Sequence, residues 1–207
     1  MKDHMLGRTL AIAGVAGLLM LGSGRADAAV IVLAPSVAGT AGSTGTFDIV
    51  LQNTGGAAIN IGGFGFGIST TNAGITFTSA TTATGATYIF NGDSLFGPDI
   101  TISSGTSLTA SDNPFLASFF AVGAGATVGL GHISYSISGG ATPGPFAITL
   151  DPGTTLLSDA NGASVKIDTL TNGTLNVTLT PEPASLGLFG ALALFGGIVA
   201  KRRRALQ

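Results

Sequence analysis

Between residues 30 and 180, few side chains could move protons, attack a substrate or hold a metal. They are seven aspartates, Asp48, Asp93, Asp99, Asp112, Asp151, Asp159 and Asp168, and one histidine, His132. Two carboxylates flanking a sugar would hydrolyse a glycosidic bond, and an aspartate behind a histidine would activate a serine for acyl transfer. No Gly-x-Ser-x-Gly elbow marks such a serine. Most of the aspartates stand beside Gly, Pro or Asn, where the short carboxylate shapes a turn by bonding nearby backbone. His132 falls on the polar side of a strand, among serines. Asp159-Ala160-Asn161-Gly162 has the opening spacing of a calcium loop but lacks the third acidic ligand and the distant Glu, so an ordinary turn is the simpler reading. Asn172-Gly173-Thr174 and Asn176-Val177-Thr178 match the N-glycosylation pattern by composition alone. We expect a noncatalytic chain with no catalytic residue, no cofactor and no metal.

The charge pattern narrows the partners. Seven of the eight Lys and Arg residues lie in the two end segments, leaving Lys166 alone between them. A stretch so acidic cannot neutralise a phosphate backbone, which excludes nucleic-acid binding. With no cysteine there is no disulfide framework and no thiolate site. At 45% hydrophobic and 9% charged, the chain is too apolar for an acidic disordered segment, and its 33 glycines follow no collagen period.

The elements that must position these residues have a period of two. In residues 46–53, Phe47, Ile49 and Leu51 share one face; in 127–138, Ile133, Tyr135 and Ile137 do; in 173–180, Leu175, Val177 and Leu179 do. Weaker strands are expected at 30–33, 75–78, 100–103, 115–122, 146–150 and 165–167, with turns at 53–56, 91–93, 139–140, 151–153, 161–162 and 172–173. Residues 60–69 form an unusual strand, with Phe64, Phe66 and Ile68 on one face and Gly63, Gly65 and Gly67 on the other. The aromatic side is expected to face the core. A bare glycine face implies a bulge or a closely approaching backbone, and alternatively a ledge for a sugar ring or partner strand. The pattern predicts an all-β, antiparallel two-sheet sandwich over residues 29–180.

Both ends read as sorting segments. Residues 1–28 have the charged start, apolar stretch and Ala26-Asp27-Ala28 site of a secretory signal, with cleavage expected before Ala29 by signal peptidase after passage through the Sec translocon. At the other end, Pro181-Glu182-Pro183 precedes an apolar, glycine-containing run at 184–200 and the basic cluster Lys201, Arg202, Arg203 and Arg204. The run is about 25 Å long as a helix, the short end of what crosses a bilayer, and the basic cluster should stay cytoplasmic. The order of these parts over 181–204 resembles the PEP-CTERM sorting signal of exopolysaccharide-producing Gram-negative bacteria. That resemblance implies an exosortase-type membrane transpeptidase as partner, with Pro181, Glu182 and Pro183 recognised and Lys201 to Arg204 retained. It also implies an inner-membrane-anchored precursor bound for the cell surface, outer membrane or extracellular matrix. A plain single-span anchor is the alternative.

A second resemblance spans roughly residues 30–180. The 46–53 strand, the Ile61-Gly62-Gly63-Phe64-Gly65-Phe66-Gly67-Ile68 run, and the Leu157-Ser158-Asp159-Ala160-Asn161-Gly162 loop before a final Gly-Thr-Leu-Asn-Val strand are similar to cohesin-type domains. The resemblance implies a jelly-roll sandwich, related in fold to certain carbohydrate-binding modules, and maps no residue onto a partner interface. Together the resemblances imply an adhesive or assembly role in an exopolysaccharide matrix or biofilm. The alternatives are a cell-surface carbohydrate-binding module and, in a different class, a two-aspartate glycosidase.

Overall fold

The computed structural model describes residues 29–179 apart from Leu95. The signal segment, the sorting motif, the span at 184–200 and the basic cluster lie outside the described residues. No helix among the described residues is long and apolar enough to cross a membrane.

Two sheets enclose one core. The first contains β1 (Val30–Leu33), β3 (Thr44–Asn53), β6 (Ile75–Thr81), β10 (Thr127–Ile137) and β14 (Thr169–Thr171), in the order β14-β1-β3-β10-β6. The second is built around β5 (Gly63–Thr70). On one side of β5 lie β8 (Ser107–Asp112) and then β7 (Asp99–Ser104). Its other side is shared by β11 (Gly144–Leu150) and β12 (Leu156–Ser158), which pair with its two ends. β11 continues to β15 (Gly173–Thr178) and β2 (Val37–Thr40), while β12 pairs with β13 (Ser164–Val165). A short ribbon of β4 (Ile59–Ile61) and β9 (Phe120–Val122) completes the described strands.

The expected inward sets are buried: Phe47, Ile49 and Leu51 on β3, Ile133, Tyr135 and Ile137 on β10, and Leu175 and Val177 on β15. Burying each such side chain contributes about 1.5–3 kcal/mol. On β10 a bulge between Gly129 and Gly131 turns Leu130 inward as well. Phe64, Phe66 and Ile68 face the core as expected. Phe64, Phe66, Tyr88, Phe90 and Phe120 form a linked set of rings, with centroids 5.7–6.4 Å apart.

The glycine side of β5 has a specific cause. The segment joining β11 to β12, residues 151–155, crosses the outer face there, and a Cβ on Gly67 would overlap the Thr154 side chain. The Thr154 carbonyl oxygen also lies 3.4 Å from where a Cβ on Gly65 would sit, so a closely approaching backbone, one of the expected reasons for a bare face, is present.

Five expectations are corrected. The sheet is not wholly antiparallel, because β1 pairs with β14 and β2 with β15 in parallel. The expected turn at 172–173 is instead the point where the last strand passes from one sheet to the other. The first strand makes the same crossing at residues 34–36, and a Cβ on Gly173 would overlap the Pro35 carbonyl oxygen. The expected 115–122 strand is a strand only from Phe120, and the expected 60–69 strand breaks at Gly62, where a Cβ would overlap the Asp159 carbonyl oxygen. Leu179 lies beyond β15 and is exposed.

Candidate functional site

Two loops at one pole of the sandwich carry its most exposed apolar side chains. Phe96, in the connection from β6 to β7, is 92% exposed; Phe115, Leu116 and Phe119, in the connection from β8 to β9, are also exposed, Leu116 at 83%. Isolated surface apolar residues are ordinary, but a cluster of large ones points to an interaction site.

Two aspartates fasten these loops. Asp93 Oδ1 accepts the Leu116 amide and Oδ2 the Ala117 amide, both at 2.8 Å, and the Asp93 carbonyl accepts the Phe115 amide. Asp112 Oδ2 accepts the Tyr88 hydroxyl and the Ser94 hydroxyl, each at 2.5 Å, while Oδ1 accepts the Asn113 amide. Ser94 Oγ in turn accepts the Gly97 amide. Burial, and next the Asp112 carboxylate on its hydroxyl, push the Tyr88 phenol far above its usual value. Tyr88 is held from below, since its segment bridges to Gly129 of β10 where β6 has ended. The apolar tips are therefore presented on a braced frame, which lowers the ordering cost of binding.

Two clefts share Ser111, Asp112 and Asn113 as a common wall, and the second is lined by two of the tips, Phe96 and Phe115. The first, of about 390 Å³, has Gly63 and Gly65 in its floor and Leu156, Ser158 and Ser164 along its side. The second, of about 680 Å³, lies between Phe96, Gly97, Pro98, Asp99 and Ile100 on one side and Phe115 on the other. Register aligns Asp99, Ser111, Gly65 and Leu156 in one row across β7, β8, β5 and β12 on the outer face. Three interstrand spacings make that row about 14 Å long.

The other singled-out residues are dispersed. His132 Nδ1 lies 2.5 Å from Asp48 Oδ1, and Asp48 Oδ2 accepts the Gly85 amide at 2.6 Å. The register adds Thr81 to that row, on the outer face of the first sheet, away from the clefts. His132 thus has a carboxylate partner that its place among serines did not indicate. Asp151 bonds the Gly153 amide and the Thr154 hydroxyl, and Asp159 Oδ1 accepts the Asn161 and Ala163 amides, the geometry of a turn. Asp168 accepts the Val30 amide and pairs with exposed Lys166, which holds the Asp168 carboxyl below its usual range. Among the described residues no cluster of acidic, His or Cys side chains forms a metal site. Asn172 accepts the Leu150 amide, and Asn176 is exposed on β15. Of the sorting residues only Ala29 is described; its carbonyl accepts the Thr54 amide. The two-aspartate clamp escaped sequence reading because its members bond across loops rather than within their own turns.

No protein-family model matches the chain. A comparison with curated proteins gave no match. Among solved structures, the chain is similar to the cohesin CaCohA2 from Clostridium acetobutylicum, at 20% identity and TM-score 0.56, covering 72% of this chain and 91% of that one. It is also similar to a non-cellulosomal cohesin from the archaeon Archaeoglobus fulgidus, at 17% identity and TM-score 0.53, covering 77% and 97%. A third is the sixth cohesin of Acetivibrio cellulolyticus scaffoldin B, solved in complex with a dockerin, at 16% identity and TM-score 0.55, covering 72% and 99%. At such identities the likeness establishes the architecture: the chain has the cohesin-like β-sandwich fold.

Proposed function

We propose that the protein is a noncatalytic exported module that docks a partner at the cell surface or in the extracellular matrix, with an adhesive or assembly role. The observation that carries this reading is the braced apolar surface of Phe96, Phe115, Leu116 and Phe119 beside two clefts. Solved cohesins of the same fold include complexes with dockerins, which supports a docking role without identifying a partner here. The position of the surface also supports it. Going from Gly63 up β5 and then from Gly173 up β15 to Thr178 crosses twelve residue steps, roughly 40 Å along the strands. The docking surface thus lies at the pole opposite the exit toward Pro181-Glu182-Pro183. In this reading Ala29 is the mature N-terminus, an exosortase-type transpeptidase acts at the Pro-Glu-Pro motif, and Lys201 to Arg204 hold the precursor in the inner membrane. A carbohydrate-binding module at the cell surface is the second reading, favoured by the second cleft, whose phenylalanines face polar side chains.

The test is the intact mass of the protein recovered from the surface or medium of its host, with a companion strain lacking residues 181–204. A chain starting at Ala29 and ending within 181–183, together with mislocalisation of the truncated protein, is expected. A mass that runs through Gln207, or unchanged localisation without the tail, would overturn the sorting reading.

A further inference from the structure

We propose that the second cleft binds a neutral or amino-bearing glycan chain, lying between Phe96 and Phe115 and hydrogen-bonded by Asp99, Ser111 and Asn113. This inference rests on the carbohydrate-binding reading and deepens it. The cleft's composition selects this occupant. Its two aromatic side chains are exposed and offer flat apolar faces of the kind the C–H side of a pyranose covers. Beside them, Asp99 and Ser111 face each other across β7 and β8. Neither side chain makes a hydrogen bond to another described residue. An apolar peptide segment laid here would strip water from a carboxylate and a hydroxyl without replacing it, at a cost a glycan hydroxyl avoids.

Charge sets the class of sugar. Residues 30–180 carry seven aspartates against Lys166, and Lys166 lies on neither cleft. A uronate polymer would bring like charge to Asp99 with no cation to offset it, whereas a neutral sugar meets no such penalty and an amino group gains from it.

The site is also shaped for a chain rather than a single ring. The row Asp99, Ser111, Gly65 and Leu156 continues the second cleft into the first. Gly65 has no side chain to divide them. Asp112 does not take part in sugar binding directly, because both of its oxygens are committed to the loops. Its part is to fasten the starts of the loops that carry Phe96 and Phe115.

The experiment titrates the full chain with three probes, chitohexaose, cellohexaose and a hexamer of galacturonic acid, by calorimetry, and repeats it on Phe96→Ala, Phe115→Ala and Asp99→Asn. All three positions are exposed, so the variants fold. Expected is saturable binding of at least one neutral hexamer, weakened roughly threefold to tenfold by each phenylalanine variant. The galacturonate hexamer should bind poorly to the parent and better to Asp99→Asn. A preference for galacturonate in the parent protein would overturn the assigned class. Neutral binding that survives both phenylalanine variants would overturn the site while leaving the carbohydrate-binding reading intact. Absence of binding by all three probes would overturn both and leave the apolar tips to a protein partner, with the export reading still decided by the mass measurement.

Discussion

Replacing Asp112 by Ala tests whether the loop frame is built as described. Asp112 Oδ2 takes two hydroxyl donors at 2.5 Å, and hydrogen bonds to a charged acceptor are worth about 1.5–3 kcal/mol each. The two donors respond differently to its loss. Tyr88 is 4% exposed, so its hydroxyl is left without water or partner, whereas half-buried Ser94 can turn to solvent. Most of the cost therefore comes from Tyr88, and we expect Asp112→Ala to destabilise the folded domain by about 3 kcal/mol. In the Asp112→Ala background, Tyr88→Phe should then be nearly neutral, because it removes an already unpaired group. The double-mutant cycle should show a coupling of about 2 kcal/mol. Urea unfolding of the chain beginning at Ala29 measures all four corners, and limited proteolysis should cut the Asp112→Ala variant within 93–97 or 113–119. A single-variant cost below about 1 kcal/mol, or additivity within about 0.5 kcal/mol, would refute the clamp.

Three further outcomes are expected. Asn53 is fully buried, its amide donating to the carbonyls of Ala57, Val122 and Gly123 while its Oδ1 accepts the Gly55 amide. Asn53→Ala should cost about 3 kcal/mol in urea unfolding by leaving those groups unpaired; a loss under about 1 kcal/mol would mean that water replaces the amide. Gly173→Ala should cost about 1–3 kcal/mol, since the overlap is with Pro35 backbone rather than a movable side chain, and a neutral result would mean the crossing can shift. Burial raises the phenols of Tyr88 and Tyr135 above 10.0, so the unfolded chain releases those protons first. Stability should be intact below pH 10 and fall as pH rises beyond it, and Tyr88→Phe should flatten that fall; equal slopes in parent and variant would contradict the assignment.

The half-buried strands were legible because a period of two survives on β3, β10 and β15, each with one face on the core and one in water. Strands at the margins were not. β2, with Ala38 and Gly39, β12, of three residues, and β14, of three, carry too little apolar alternation to register locally. Their pairing partners lie far away in sequence. β8 was missed because Ser107, Thr109 and Ser111 outnumber its buried Leu108 and Ala110. Phe115 and Phe119 misled in the opposite direction. Residues 115–122 read as one strand, yet Phe115 and Phe119 lie before β9 and are exposed, and a residue type alone cannot say whether an apolar side chain packs inward or waits for a partner. The candidate site was legible only as a choice between two uses of the glycine face on β5. In the structure Gly67 lies under a crossing segment that also reaches Gly65, while Gly63 and Gly65 line a cleft.

The parallel closure of the two sheets by the first and last strands has a consequence for where a ligand can be met. Because β1 and β2 run alongside β14 and β15, the described chain enters at one pole and leaves at the other. An antiparallel closure would have brought both ends to the same pole. The connections divide the same way. Residues 41–43, 71–74, 105–106 and 138–143 make short links at the pole where β15 ends, while 54–58, 82–98, 113–119 and 159–163 lie at the other. Long loops on a rigid scaffold are where binding surfaces are most readily built, since they change length and sequence without disturbing the sheets. A tether following β15 would therefore leave the loop-rich pole, with Phe96, Phe115 and both clefts, facing outward. The orientation follows from strand direction alone, so it holds whether the occupant is a polysaccharide or another surface protein.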